Sequence, residues 1–244
     1  MNRLRQRLTQ AASDSERMKL DLALADILVE RGQPSEALPH GRRALTITPT
    51  SDAAFVLVCR ALVESGRTDE CRSVIAERFQ RSPDDPAALR MRVQVENYDG
   101  RHEEAERAGR RLIALAKADA ADWNRLAWAA LFRPPVTEQA VQDSQRSIQM
   151  QPAYVNLHTL AMLYAELGKT SEARDVLWHR LDLGGIEQPD SSAWLVVGRI
   201  AEALDAREAA MAAYRKVEVP SQPYLVAFSS YALAQKRLAE LAKR

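Results

Sequence analysis

The chain has little of what catalytic and membrane-spanning proteins are built with. Of 244 residues, two are cysteine and four histidine. His40, His102, His158 and His179 stand without ligand spacing, and neither cysteine has a nearby histidine, so no zinc set is recognisable. The nine glycines form no phosphate-cradling loop and no nucleophile elbow. His102-Glu103-Glu104 reads as a solvated cluster opening a helix rather than an acid–base pair. These absences point away from an enzyme and imply no cofactor and no metal. Charge of one sign is also missing: 34 Lys and Arg against 33 Asp and Glu leave a net charge of +1, with no global drive toward nucleic acid or anionic membrane. Arg3, Arg5 and Arg7 make a local basic spot, but without interleaved aromatics it reads as a solvated helix face. No stretch approaches the ~18 apolar residues of a membrane helix, so no membrane insertion is expected. The amino terminus lacks the apolar core of a secretory signal, which at face value implies a cytoplasmic protein.

What is present is a period. Gly32, Gly66 and Gly100 lie 34 residues apart, as do Pro49 and Pro83. In this frame, repeats run over residues 18–51, 52–85, 86–119, 120–153, 154–190 and 191–217. The fourth is interrupted by Arg133-Pro134-Pro135-Val136, and a longer linker, residues 184–190, precedes the sixth. Each copy splits into two apolar stripes of helical spacing, such as Leu157, Leu160, Ala161 and Tyr164, then Ala173, Val176 and Leu177. Strand-like alternation is absent. Ser35-Glu36, Thr68-Asp69-Glu70, Thr137-Glu138 and Ser171-Glu172 are expected to place an oxygen acceptor and negative charge at the start of each second helix.

Two further helices are expected at the ends. Residues 1–17 hold a short capping or partial-repeat helix with Leu4, Leu8 and Ala11 on one side, followed by Ser13-Asp14-Ser15-Glu16 with capping-box spacing. Residues 218–244 hold a solvating helix from Tyr224 to Lys243, with Phe228, Tyr231, Leu238 and Leu241 inward and Gln235, Lys236, Arg237, Lys243 and Arg244 outward.

Trp194-x-x-Val197-Gly198 followed by Ala210-x-x-x-Tyr214, set within the 34-residue period, resembles the tetratricopeptide repeat family over residues 18–217. The resemblance implies an all-α, right-handed superhelical α-solenoid of about six helix-turn-helix repeats with terminal capping helices. It places small residues at the contact within each repeat: Ala25 with Ala37, Ala127 with Ala140, Ala161 with Ala173, Gly198 with Ala210. Cys59 and Cys71 occupy such contact places in repeat two, either as buried thiol fillers or as a disulfide in an oxidising compartment. Repeat three departs from the pattern, since strict spacing would bury Arg92 and Glu96. A one-residue slip burying Met91, Val95 and Tyr98 is preferred.

In that family the first helix of each repeat lines a concave groove through its fifth, ninth and twelfth places. Here these are Leu22, Asp26 and Val29; Val56, Arg60 and Val63; Arg90, Gln94 and Asn97; Asn124, Trp128 and Leu131; His158, Met162 and Ala165; Leu195, Arg199 and Glu202. Arg60, Arg90, Gln94, Asn124, Trp128, His158, Met162 and Arg199 are therefore the candidate peptide-binding residues, with Trp128 as the rigid anchor. Trp128 packed onto Met162 or His158 is the competing reading. Asp26, Val56 and Gln94 break the Lys and Asn pattern of the two-carboxylate clamp used by chaperone-binding members. The expected function is capture of a peptide or disordered segment of a protein partner; the alternative is a scaffold that self-associates or spaces other domains.

Asn124-x-Leu126-Ala127-Trp128, Leu157-His158-Thr159-Leu160-Ala161 and Ser229-Ser230-Tyr231-x-Leu233-Ala234 also resemble the carboxy-terminal repeats of large exported bacterial proteins with a transglutaminase-like domain upstream. That likeness implies a fragment of a periplasmic protein rather than a complete cytoplasmic one.

Overall fold

The computed structural model of the chain describes residues 2–185 and 188–243. Ile186 and Glu187 of the expected linker, the outward Arg244 and the Arg5 side chain lie outside the described residues. Among the described residues every regular element is helical: α1 (Asn2–Thr9), α2 (Asp14–Glu30), α3 (Pro34–Ile47), α4 (Asp52–Glu64), α5 (Thr68–Arg81), α6 (Pro86–Tyr98), α7 (His102–Ala114), α8 (Ala120–Ala129), α9 (Glu138–Met150), α10 (Tyr154–Glu166), α11 (Thr170–Gly184), α12 (Ser191–Ala203), α13 (Arg207–Tyr214) and α14 (Ser230–Leu241), with 3₁₀ turns at Ala130–Phe132 and Pro223–Phe228. No described helix is long and apolar enough to cross a membrane.

First and second helices begin differently. Before α4, α8 and α12 the chain is extended, and Ser51, Asp119 and Asp190 accept from the amide three residues on. At Asp119 and Asp122 the exchange is reciprocal, 2.9 and 3.1 Å. The oxygen caps expected on second helices are absent. Residues Gln33, Arg67 and Lys169, which precede α3, α5 and α11, sit at ψ of 52°, 54° and 67° and make no side-chain cap. The short turn explains this: Gly32, Gly66, Gly100 and Gly168 take φ of +70° to +74° to close the preceding helix, and the chain re-enters helix within two residues. The first-turn acids Glu36, Asp69, Glu70 and Glu172 remain to favour the helix ends by charge alone.

The chain divides into two compact units, residues 1–95 and 96–244, the division falling within α6. In the first, α2 packs on α3 and α4, and α4 on α5. The α2 helix starts four residues before the 18–51 frame, because Ser13 accepts from the Glu16 amide at 3.2 Å while Glu16 reaches back to the Ala12 amide. Asp21, wholly buried, is held by His40 at 2.6 Å and Arg43 at 2.7 Å. Cys59 and Cys71 are free, buried thiols, and a hydrogen bond from the Cys59 S–H to Cys71, together with burial, pushes the Cys59 thiol well above its ordinary pKa. In α6, Met91 and Val95 are buried and Tyr98 half-buried as the slip requires, but Glu96 is buried as well.

In the second unit, α8 pairs with α9, α10 with α11 and α12 with α13, and α10 touches both α8 and α12. Gly198 is needed for close approach: a Cβ there would fall 2.5 Å from the Tyr214 ring. Tyr214 is fully buried and donates to Glu202 at 2.8 Å; burial, then Glu202, raise its pKa far above the usual phenol range. Ala127, Ala140, Ala161, Ala173 and Ala210 are buried, as the small-residue contacts require.

Each unit contains a buried arginine that ties a second helix to the next repeat's cap. Arg78 on α5 donates to Asp85, which caps α6 by accepting from Ala88; Arg180 on α11 donates to Asp190 at 2.7 Å and Ser192 at 2.8 Å. The two arginines stand three periods apart, 180 − 78 = 102, yet their aspartates differ by 190 − 85 = 105. The linker has grown by three residues while the latch is kept. Burial pushes the Asp190 carboxyl up, but hydrogen bonds from Arg180, the Ala193 amide and Ser192 outweigh it and hold the carboxyl below its usual range.

Candidate functional site

In the first unit the places assigned to the groove divide by depth. Val29 and Val63 are buried, whereas Asp26 and Val56 are exposed and Arg60 half-exposed. Arg60 donates to Glu64 one turn on at 2.9 Å, and its other arm lies 3.9 Å from Asp26. Arg90 and Gln94 are half-buried. Neither is free: each already has a polar partner. A separate cleft of about 540 Å³ opens between α3 and α5, lined by Arg42, Val58, Glu70 and Glu77 among others.

In the second unit the same places on α8, α10 and α12 are covered by the chain's own carboxy-terminal segment. Phe228 packs at a tilt on Phe132 with ring centroids 4.7 Å apart, stacks on His102 at 5.7 Å, and meets Tyr98 edge-on at 6.3 Å. Tyr224 makes a second edge contact with Tyr98 at 5.5 Å. The Trp128 indole N–H donates weakly to the Phe228 carbonyl at 3.5 Å, and Ser230 lies 3.4 Å from His158 Nε2. Trp128 also packs on His158 at 5.4 Å, the contact that competed with its role as an anchor. Met162 is sealed, 1% exposed. Arg199 lies 3.0 Å from Glu166, whose other oxygen accepts from Arg237 of α14 at 2.8 Å. Asn124 is half-buried, its amide oxygen enclosed without a partner.

Three expectations fail here. The last helix starts six residues after Tyr224 because Ser229 caps it, and Pro223–Phe228 is a 3₁₀ turn instead. Its Arg237, expected outward, turns inward to Glu166 and Glu240 and lies 3.9 Å from Glu202. His102, expected solvated, is half-buried against rings, and burial followed by the Arg133 charge lowers its pKa. An amphipathic pattern assigns a polar side to water by default. In this unit that side meets acids from α10 and α12.

His158 is the strongest electrostatic feature. Burial, then the nearby Arg180 charge, push it down to about 3, so it is neutral at physiological pH. Its Nδ1 has no hydrogen-bond partner. Sequence reasoning missed Tyr98, His102, Phe132 and Phe228 as one cluster. The available signal was the Tyr224-x-x-x-Phe228 spacing beside Pro220 and Pro223 in a stretch with no helical stripe. Among the described residues no His, Cys, Asp or Glu side chains converge as a metal site would need.

A family model described as tetratricopeptide repeat matches residues 28–95. The chain resembles a tetratricopeptide repeat protein of Parabacteroides merdae with a TM-score of 0.67 at 17% identity, covering 95% of this chain and 90% of that one. It resembles pilF of Pseudomonas aeruginosa with a TM-score of 0.63 at 16% identity, covering 93% and 99%. It also resembles part of the Cut9–Hcn1 hetero-tetramer, with a TM-score of 0.59 at 17% identity over 96% of this chain and 46% of that one. No curated protein sequence matches the chain. At these identities the likeness establishes the fold.

Proposed function

Starting from a chain of tetratricopeptide-repeat fold, matched by the family over residues 28–95, we propose a protein-interaction module that captures an extended segment of a partner on the face formed by the first helices of its repeats. Repeat solenoids use such extended surfaces to hold other polypeptides. The observation that carries the reading is the occupancy of α8 and α10 by Pro223–Phe228 and Ser230. Trp128 and His158, nominated for peptide contact by register alone, meet the chain's own 3₁₀ turn and the first residue of α14 through an indole N–H and a ring nitrogen, while Phe132 beside them packs on the Phe228 ring. That is the chemistry of a polypeptide-binding face with aromatic anchors.

Selection of a displayed peptide library on the purified chain tests the reading. Counter-selection uses an Arg60→Glu, Asn124→Ala, Trp128→Ala variant that keeps wild-type helicity and melting. A motif that binds the wild type and loses at least tenfold on the variant supports capture. An empty selection, or peptides that bind both proteins equally, overturns it.

A further inference from the structure

Resting on that reading, we infer the partner's chemistry. The second unit takes a segment carrying two aromatic side chains four residues apart, and residues Tyr224 to Phe228 are an internal stand-in that such a segment displaces.

Three observations carry this. The first is the receptor: Tyr98, His102 and Phe132, from α6, α7 and the 3₁₀ turn after α8, surround one phenyl ring at centroid distances of 4.7 to 6.3 Å. Tyr98 presents a second edge to the ring four residues earlier. Aromatic neighbours at these separations discriminate a ring from an aliphatic side chain. The second is the loose seating of the stand-in. No residue of Pro223–Phe228 is buried, and the contacts that the Phe228 carbonyl and the adjoining Ser230 make with Trp128 and His158, 3.5 and 3.4 Å, are at the limit of hydrogen bonding. The helix that follows is held differently, by buried Leu233, Ala234 and Leu241 and by Arg237 on Glu166. The stretch between Glu218, whose amide donates to Ser191, and Ser230 is thus a loop fixed at both ends and able to lift while its anchors stay.

The third is unmet hydrogen bonding. Asn124 Oδ1 and His158 Nδ1 are enclosed without partners, and the two residues are one 34-residue period apart, at the fifth place of consecutive first helices. Enclosed polar atoms are nearly always paired in folded proteins, and neither of these finds a partner with the internal segment in place. The backbone of an incoming segment in extended form offers donors and acceptors at every residue, whereas the 3₁₀ turn of the stand-in folds back on itself, with Leu225 donating to Gln222.

The probe is a fluorescent synthetic peptide of residues 219–231, added to the full-length wild type and to a Tyr224→Ser, Phe228→Ser variant, with binding read by anisotropy. The peptide should bind the variant at least tenfold tighter than the wild type, because the internal competitor is weakened. A peptide with alanine at both aromatic places should lose at least tenfold on the variant. Phe228→Leu keeps the apolar bulk and serves if the double variant loses wild-type helicity; it should tighten peptide binding about threefold. Equal binding to wild type and folded variant, no saturable binding to either variant, or indifference to the alanine changes would each overturn the inference. The library selection keeps this failure separate from that of the capture reading. A Trp128-dependent motif without paired aromatics would sink the aromatic-pair inference and leave capture standing, whereas an empty library would sink both.

Discussion

The two units apply one repeat to opposite ends. In residues 1–95 the outermost of the places assigned to the groove, Asp26, Val56 and Arg60, meet water, and their charges answer one another on a single face, Asp26 toward Arg60 and Arg60 to Glu64. In residues 96–244 the corresponding places are closed, with Met162 and Leu195 sealed and Trp128 and His158 beneath the chain's own tail. The backbone pattern that builds both is the same, down to the arginine latch at Arg78 and Arg180. A repeat therefore dictates which side chains share a face. What covers the face is decided by segments outside the repeat.

The contrast can be broken most forcefully through Tyr214. Tyr214→Ala removes a fully buried ring packed against Gly198 and leaves Glu202 without its donor. A loss of about 3–5 kcal/mol is expected, read by denaturant melting. Hydrogen exchange should show amides of α10 to α14 losing protection while those of α2 to α4 keep theirs. Uniform loss over both units would deny that they differ in the way described.

Acid should open the second unit by a smaller amount. His158 has its folded pKa depressed to about 3, against ~6.5 for the unfolded residue. Between these values the unfolded chain binds the additional proton, so stability falls as pH drops through the unfolded pKa and goes on falling toward the folded one. The depressed His102 acts in the same sense, and Asp190, also depressed, gives up its contribution as pH falls through its folded pKa. A decrease of roughly 1–3 kcal/mol between pH 6.5 and pH 4 is expected for the wild type from the two histidines, with the Asp190 contribution lost at lower pH. The slope should be shallower in a His158→Gln variant. An unchanged slope in that variant would place the acid sensitivity elsewhere.

The smallest effect belongs to the open face. Arg60 is about two-fifths exposed, and its ion pairs with Glu64 and Asp26 are surface pairs. Arg60→Ala should change stability by less than ~0.5 kcal/mol, checked by the same melts. A loss several times larger would mean that the first unit relies on its open face for stability, and the contrast between the units would soften.

Much of this architecture was legible because it is local and periodic. The glycine turns, the alternating stripes and the small contacts at Ala127, Ala161 and Gly198 each depend on neighbours within one repeat. The slip in α6 was legible only in part: Met91 and Val95 went inward, but Glu96 followed them. The capping of α3, α5 and α11 was misjudged because a Ser or Thr near a helix start caps it only if the preceding backbone is extended, and the glycine turns do not allow that; before α9, Thr137 is extended and still makes no cap. The return of the tail onto α8 and α10 was out of reach for a different reason. It joins Trp128 to Phe228 and His158 to Ser230, contacts with no period, between a repeat face and a stretch that belongs to no repeat. Of the candidate site, the register that aligns Trp128 and His158 is legible in the repeat, and the segment that lies on them is not.

The placement of two rare residue types gives the molecule a pair of built-in reporters. Both cysteines, Cys59 and Cys71, are enclosed in α4 and α5 of the first unit, and all four tryptophans, Trp123, Trp128, Trp178 and Trp194, lie in the second. Thiol alkylation therefore clocks the opening of one unit, because an enclosed thiol held in its protonated form reacts only when its helix pair comes apart. Indole fluorescence follows the other without any label. The order in which the two signals move during denaturation is the order in which the open and the covered halves of the array come undone.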